Sequence, residues 1–184
     1  MRITGGIYKN RKLDVPVGND IRPTSDRMRQ TIFNMLHHAK WLSGFQLEGA
    51  KVLDLFCGSG ALGLEALSHG AASCLFVDRD IATVKTNSAF LEKDKADFLR
   101  GDATQLGGKQ EKFDLVFMDP PYSKDLIDPT VANLMTKNLL ADNALLIVEA
   151  EKGWSAGDLS LEMLDKRTQS RSDLNIFRYN SAIE

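Results

Sequence analysis

The run Phe113-Asp114-Leu115-Val116-Phe117-Met118, followed at once by Asp119-Pro120-Pro121-Tyr122, decides the fold class. A short, nearly continuous apolar run of this kind reads as a strand buried on both faces, the habit of parallel sheets. Two prolines directly after it cannot continue the ladder, because neither has an N–H to donate. The chain must leave the sheet in a stiff, extended turn at the carboxyl end of a central strand, the edge where open α/β sheets bind ligands. That turn offers a carboxylate, a backbone carbonyl and an aromatic ring. The first two can each accept a hydrogen bond from an amine, and the ring can stack on a nucleobase for roughly 1–3 kcal/mol. A plain tight turn, with Asp119 capping the loop and Tyr122 packed inward, uses the same residues, so the rest of the chain must decide.

Outward from this corner, strand and helix alternate. Residues 51–56 read as another core strand, which runs into Cys57-Gly58-Ser59-Gly60-Ala61-Leu62-Gly63. A helix follows through Leu64, Ala66, Leu67 and His69 and stops at Gly70. Residues 74–78 read as a strand, about 80–95 as a helix, and 98–102 as a short strand. On the other side, 129–140 reads as a helix, 144–149 as a strand, and 161–164 with 174–179 as a closing pair. Alternation of this kind predicts an α/β, Rossmann-like sheet, mostly parallel, with helices on both faces. No internal repeat or low-complexity tract interrupts it.

A chain of 184 residues is long enough for one full core with a small appendage. Its 43% apolar and 26% charged residues are those of an ordinary soluble globular protein. No apolar run reaches the ~18 residues of a membrane span, and Met1-Arg2-Ile3-Thr4-Gly5-Gly6 lacks a signal-peptide core. A cytoplasmic location is therefore expected. Cys57 and Cys74 lie outside any CxxC spacing, so neither a metal site nor a disulfide framework is expected.

Charge is unevenly distributed. Residues 1–30 hold seven Lys or Arg against three Asp, a net of +4, so the overall −2 leaves −6 on the remainder. A basic arm on an acidic body suits a phosphate backbone, and a solvated face accounts for the same charges. Residues 1–24 read as a small β extension, with 1–4 and 12–17 extended, leaning on a main domain at 25–184. Pro23 keeps Arg22 out of the helical region, and Thr24 or Ser25 can cap a helix that buries Met28, Ile32, Phe33, Met35 and Leu36. Arg22, Arg27 and Arg29 gather at that helix start.

Gly58-Ser59-Gly60-Ala61-Leu62-Gly63 matches G-x-G-x-x-G between strand and helix, and Asp78 follows Gly58 by 20 residues. By that pattern alone the site takes NAD, with Asp78 on the ribose. S-adenosylmethionine needs nearly the same parts but carries an ammonium in place of a pyrophosphate. Asp54, four residues before Gly58, would repel a pyrophosphate and attract an ammonium. Asp102, after the third strand, is placed to accept from an adenine amine. With Asp119, four acids ring one crevice, and a methyl-donor site accounts for all of them.

The residues now resemble a known family. Arg2-Ile3-Thr4-Gly5-Gly6, Lys9-Asn10-Arg11-Lys12-Leu13, Arg22-Pro23-Thr24-Ser25-Asp26-Arg27-Met28-Arg29 and Phe33-Asn34-Met35-Leu36 match the RsmD-like bacterial 16S rRNA (guanine-N2)-methyltransferases. So do the loop from Asp54 to Ala66 and the Asp119-Pro120-Pro121-Tyr122 corner. The loop and corner alone indicate an amino-methyltransferase, and the Arg22–Arg27 segment narrows the match.

The resemblance implies a class I methyltransferase sheet of seven strands with the last antiparallel. It implies transfer to the exocyclic N2 of guanine 966 in small-subunit rRNA, on a partly assembled, protein-bearing particle. S-adenosylmethionine would lie on Asp54, Phe56, Gly58, Ser59, Gly60, Asp78, Asp102 and Ala103, without a metal. RNA would meet Lys9, Arg11, Lys12, Arg22, Thr24, Arg27 and Arg29. Asp119 and the Pro120 carbonyl would orient the amine, Pro121 would stiffen the corner, and Tyr122 would stack on a splayed-out guanine. Cys57 departs from the Ala common in the family, and residues 169–173 lack the family's glycine turn. A monomer is expected. Other readings remain an adenine-N6 or cytosine-N4 methyltransferase, since the corner serves any planar amine, and a non-catalytic ribosome-assembly protein.

Overall fold

The computed structural model describes residues 1–15, 25–42, 44–107, 111–121, 125–157, 161–168 and 172–181. Apolar runs bounded by turn residues become the strands β1 (Lys51–Leu55), β2 (Ser73–Asp78), β3 (Ala96–Arg100), β4 (Phe113–Met118), β5 (Leu140–Glu151), β6 (Leu161–Thr168) and β7 (Ser172–Tyr179). The helices are α1 (Asp26–His38), α2 (Ala61–Ser68), α3 (Ala82–Ser88) and α4 (Ile127–Thr136). One sheet of seven strands results, in the order β3-β2-β1-β4-β5-β7-β6. Strands β1 to β5 pair in parallel, and β7 runs antiparallel to both β5 and β6. This is the Rossmann-like sheet expected from the alternation, with the seven strands of a class I methyltransferase that the resemblance implies.

Side chains alternate across the sheet, and each face has its own core. Val52, Phe76, Phe117, Ile147 and Ile176 pack with α1, α2 and Val84 of α3. Leu53, Val116, Leu146 and Phe177 pack with Val131 and Leu134 of α4. All eight residues of α2 are buried, which is why it has no polar face. Each fully buried Leu, Val or Phe contributes about 1.5–3 kcal/mol relative to exposure.

Several expected bounds shift for local reasons. α3 ends at Ser88, well short of residue 95, where Asn87 turns its side chain to other backbone groups and Leu91 N–H bonds Ser88 O. α4 stops at Thr136 because Asn138 takes φ 54°, a left-handed conformation that Asn tolerates, and β5 then starts at Leu140. Among the described residues the expected N-terminal strands reduce to one antiparallel bridge, Arg2 to Lys12, around a turn with Asn10 at φ 71°; residues 16 and 17 lie outside them. Backbone bonds from Ile3 to Arg11, Asn10 to Ile3 and Leu13 to Met1 hold residues 1–14 together, and the arm docks on helices. Ile7 N–H and Tyr8 N–H bond Ser68, and Asp14 exchanges hydrogen bonds with the Asn87 amide.

The three histidines of the chain gather beside this arm. His37 Nε2 lies 2.9 Å from His69 Nδ1, His69 stacks on Phe33, and His38 is next to His37. Glu65, 3.7 Å from His69, is the carboxylate facing the group. Burial lowers the His37 pKa from 6.5, and the charges of His69 and His38 lower it further. The folded chain thus binds this proton less readily than the unfolded chain. Its stabilisation is full above pH 6.5 and is lost as pH falls through the lower folded value. Thermal midpoints at pH 7.5 and 5.5 should separate more for the wild type than for His37→Gln; equal separations would remove His37 from the acid response.

Candidate active site

Strand order brings the predicted acids together. Asp102, Asp78, Asp54 and Asp119 belong to the ends of β3, β2, β1 and β4, four adjacent strands with their carboxyl ends on one edge. Between β1 and α2 the chain makes a cradle with Phe56 at φ 57°, Gly58 at 50° and Gly60 at 76°. A non-glycine residue held left-handed is strained, and such strain collects at ligand sites. Gly60 is required sterically, since a Cβ there would lie 2.3 Å from Val84. At Gly63 a Cβ would come within 2.4 Å of the Phe76 ring and 2.6 Å of Cys74 Sγ, so this glycine lets α2 lie close on β2.

The acids divide the work. Asp78, half-buried, accepts Gly58 N–H at 2.9 Å and Asp80 N–H at 3.1 Å, tying the cradle to the end of β2. Asp54 is 2% exposed and accepts Gly63 N–H at 2.9 Å, in the first turn of α2. Burial pushes its pKa well up, and the negative charges of Asp119 and Asp78 push it further. Asp54 therefore holds the loop from beneath, and was expected to face the ligand. Asp102 accepts Thr104 N–H and Oγ1 at 2.9 and 2.8 Å, and Arg79 at 2.8 Å. Those bonds from Thr104, with the Arg79 guanidinium, lower its pKa to about 2. Ala103 is buried in the short 3-10 turn that Asp102 caps. Asp119 is half-buried, Pro120 buried and Pro121 exposed, while Tyr122 lies outside the described residues. Cys57 is buried, which pushes its thiol far up and leaves it inert as a nucleophile.

The basic residues separate into two groups. Lys9, Arg11, Lys12 and Arg27 are exposed. Arg11 and Lys12 line a cleft of about 350 Å³ with Asp14, Thr86, Asn87 and Phe90, and the Arg11 guanidinium lies 3.9 Å over the Phe90 ring. Arg22 and Thr24 lie outside the described residues. Arg29 does not belong with the RNA contacts. It is 0% exposed, and its guanidinium meets Arg2 O at 2.6 Å, Asp26 at 2.7 Å and Glu65 at 3.5 Å, so no polyanion can reach it. Ser25, the alternative cap to Thr24, accepts Met28 N–H at the start of α1.

Three polar residues went unremarked in the sequence. Asn87 bridges Asp14 of the arm and Ser59 O of the cradle, Arg79 spans to Asp102, and Glu65 anchors the arm. Glu65 carried a signal, being a lone carboxylate in an otherwise apolar helix; Asn87 and Arg79 carried none. Among the described residues no three His, Cys, Asp or Glu side chains are grouped to hold a metal ion, and no helix is long and apolar enough to cross a membrane.

Known proteins resemble this chain in sequence and in fold. A family model described as conserved hypothetical protein 95 matches residues 1–178. Ribosomal RNA small subunit methyltransferase D of Escherichia coli strain K12 is 36% identical, with 94% of this chain and 93% of that protein covered. The Haemophilus influenzae protein of the same name is 35% identical, over 83% of this chain and 79% of its own. A solved Escherichia coli structure, yhhF, described as a candidate methyltransferase, superposes with a TM-score of 0.83 at 33% identity and 98% coverage of both chains.

Proposed function

The chain belongs to this family, the RsmD-like small-subunit rRNA methyltransferases, and from that premise we propose that it methylates the exocyclic N2 of a guanine in 16S rRNA. The methyl donor is S-adenosylmethionine, and the site matches it better than a dinucleotide. Gly63 N–H, a donor that a pyrophosphate at the α2 N-terminus would use, is taken by Asp54, and the half-buried Asp78 and Asp119 at the neighbouring strand ends favour a cation. Asp78 would accept from the ribose hydroxyls, Asp102 and the Ala103 N–H would meet the adenine, and Phe56, Gly58, Ser59 and Gly60 would supply backbone and walls. When bound, this group supplies an already activated methyl, so the protein's work is alignment.

The carrying observation is the Asp119-Pro120 corner at the end of β4, beside the cradle on β1. Guanine N2 is a poor nucleophile because its lone pair is delocalised into the ring. The Asp119 carboxylate and Pro120 carbonyl would accept its two hydrogens, draw the nitrogen toward tetrahedral geometry and aim the lone pair. Tyr122 would stack on the base. Lys9, Arg11, Lys12, Arg22, Thr24 and Arg27 would hold the RNA backbone, and binding through them should weaken steeply with salt. The proposed substrate is a partly assembled small subunit in the cytoplasm, modified at the family position, guanine 966, by a monomer.

The test is methyl incorporation into small-subunit particles lacking the modification, beside stripped rRNA, with nucleosides identified by mass spectrometry. N2-methylguanosine, formed faster on the particle, is expected. Methyladenosine or methylcytidine would keep the reaction and overturn the base. No product with the cofactor bound would turn the protein into a binding factor.

Asp78→Ala should weaken S-adenosylhomocysteine binding by about 10- to 100-fold, since hydrogen bonds to a charged group contribute roughly 1.5–3 kcal/mol. Calorimetry measures it directly, and an unchanged affinity would move the ribose elsewhere.

A further inference from the structure

Beside the Asp119 corner the sheet presents a second carboxylate that neither the cofactor nor the amine contacts use. β4 and β5 run parallel with Met118 opposite Val148, so Glu149 stands one strand over from Asp119, one residue past the last pair on each strand. Neighbouring strands lie about 4.8 Å apart, so the two residues share one end of the sheet. Alternation assigns Glu149 to the face of Ile147 and Leu174, where Phe117 also packs and where Asp54 feels the charge of Asp119. Its carboxylate is half-buried and positioned, with Oε1 accepting a 2.8 Å hydrogen bond from Ser172 Oγ at the buried start of β7. An ionised carboxylate has about four acceptor positions, so a Glu that already holds other partners can accept one hydrogen bond more.

The chemistry that distinguishes bases lies one atom from the reacting amine. On the Watson–Crick edge of guanine the group beside N2 is N1–H, a donor. Beside adenine N6 and cytosine N4 the corresponding atom is a ring nitrogen with a lone pair. A fixed carboxylate next to the amine corner attracts the first and repels the other two. We propose that Glu149 reads the N1–H of the target guanine, making it the residue that selects guanine among bases with a planar amine. The inference rests on the guanine-N2 reading above and adds the group that enforces it.

The test uses small-subunit particles whose target position carries either guanine or 2-aminopurine, which keeps the N2 amine but has a bare N1. Wild-type enzyme should favour guanine by about 10²-fold in kcat/KM, the loss of one hydrogen bond to a charged group. In Glu149→Gln the preference should collapse to about threefold or less, because an amide can turn to accept from one base or donate to the other. Gln keeps an oxygen for Ser172, so a merely structural role would leave the ratio unmoved while both rates fell together. A wild-type ratio near one, which needs no variant at all, would overturn the proposal. So would a Glu149→Gln ratio equal to that of the wild type. Failure of the underlying reading looks different: wild-type enzyme would then leave the guanine particle unmethylated at N2.

Discussion

Asp119→Ala is expected to lower methyl transfer by about 10²- to 10³-fold while S-adenosylhomocysteine binding stays within a few-fold of the wild type. The size follows from what is lost. Asp119 stands where β4 ends and two prolines forbid the ladder to continue, so its backbone is stiff and its carboxylate aimed. Its proposed partner, an exocyclic amine, becomes nucleophilic only when its hydrogens are held, and a preorganised acceptor for developing positive charge acts in the transition state. The cradle and Asp78 do not depend on it, since Gly58 N–H and Gly63 N–H are held by Asp78 and Asp54. Asp119→Asn sharpens the result. An amide oxygen still accepts one hydrogen but carries no charge, so a rate between those of Ala and wild type separates orientation from charge. Single-turnover rates with bound cofactor read the effect, and near-normal turnover in Asp119→Ala would sink the assigned role.

That corner was legible because covalent structure dictates it: an apolar run, then two residues without N–H groups. The four acids were legible for a related reason. Each lies at or near the carboxyl end of a predicted strand, and alternation of strand and helix puts all parallel strand ends on one edge. What the pattern could not supply was which carboxylates face outward. Asp54 occupies the same kind of position as Asp78, yet the first turn of α2 closes over it and leaves it 2% exposed. Local sequence misled most at the helix start. Arg27 and Arg29 read alike, and only the return of the chain at Glu65 and the docking of residues 1–14 bury the second and leave the first in water. Contacts between residues so far apart have no periodic signature. The same is true of Asn87, whose amide joins the arm to the cradle through backbone atoms, which no side-chain pattern advertises.

The buried end of that network carries the largest expected effect on stability. Glu65 lies in the middle of α2 with no exposed surface and accepts Thr4 N–H, Thr4 Oγ1 and Gly5 N–H at 2.7–3.0 Å, with the Arg29 guanidinium 3.5 Å away. Burial alone would raise its pKa, but hydrogen bonds from His69, Thr4 and Gly5 outweigh that and hold it below the usual value. The carboxylate is therefore ionised at neutral pH, and its contribution is lost as pH falls below about 4.5 toward the lower folded value. Glu65→Leu keeps the volume but leaves the buried Arg29 guanidinium to Asp26 and Arg2 O and strands the Thr4 and Gly5 backbone donors, which costs about 3–5 kcal/mol. For a chain of this size that corresponds to a fall in Tm of roughly 6–20 °C. Pairing it with Arg29→Met should recover much of the loss, because removing both charges of a buried pair is far less damaging than removing one. Denaturant unfolding of the two single variants and the double variant supplies the coupling energy. If Glu65→Leu unfolds within about 1 kcal/mol of wild type, the arm is held by its apolar contacts at Ile3 and Leu13 and the ion pair adds little.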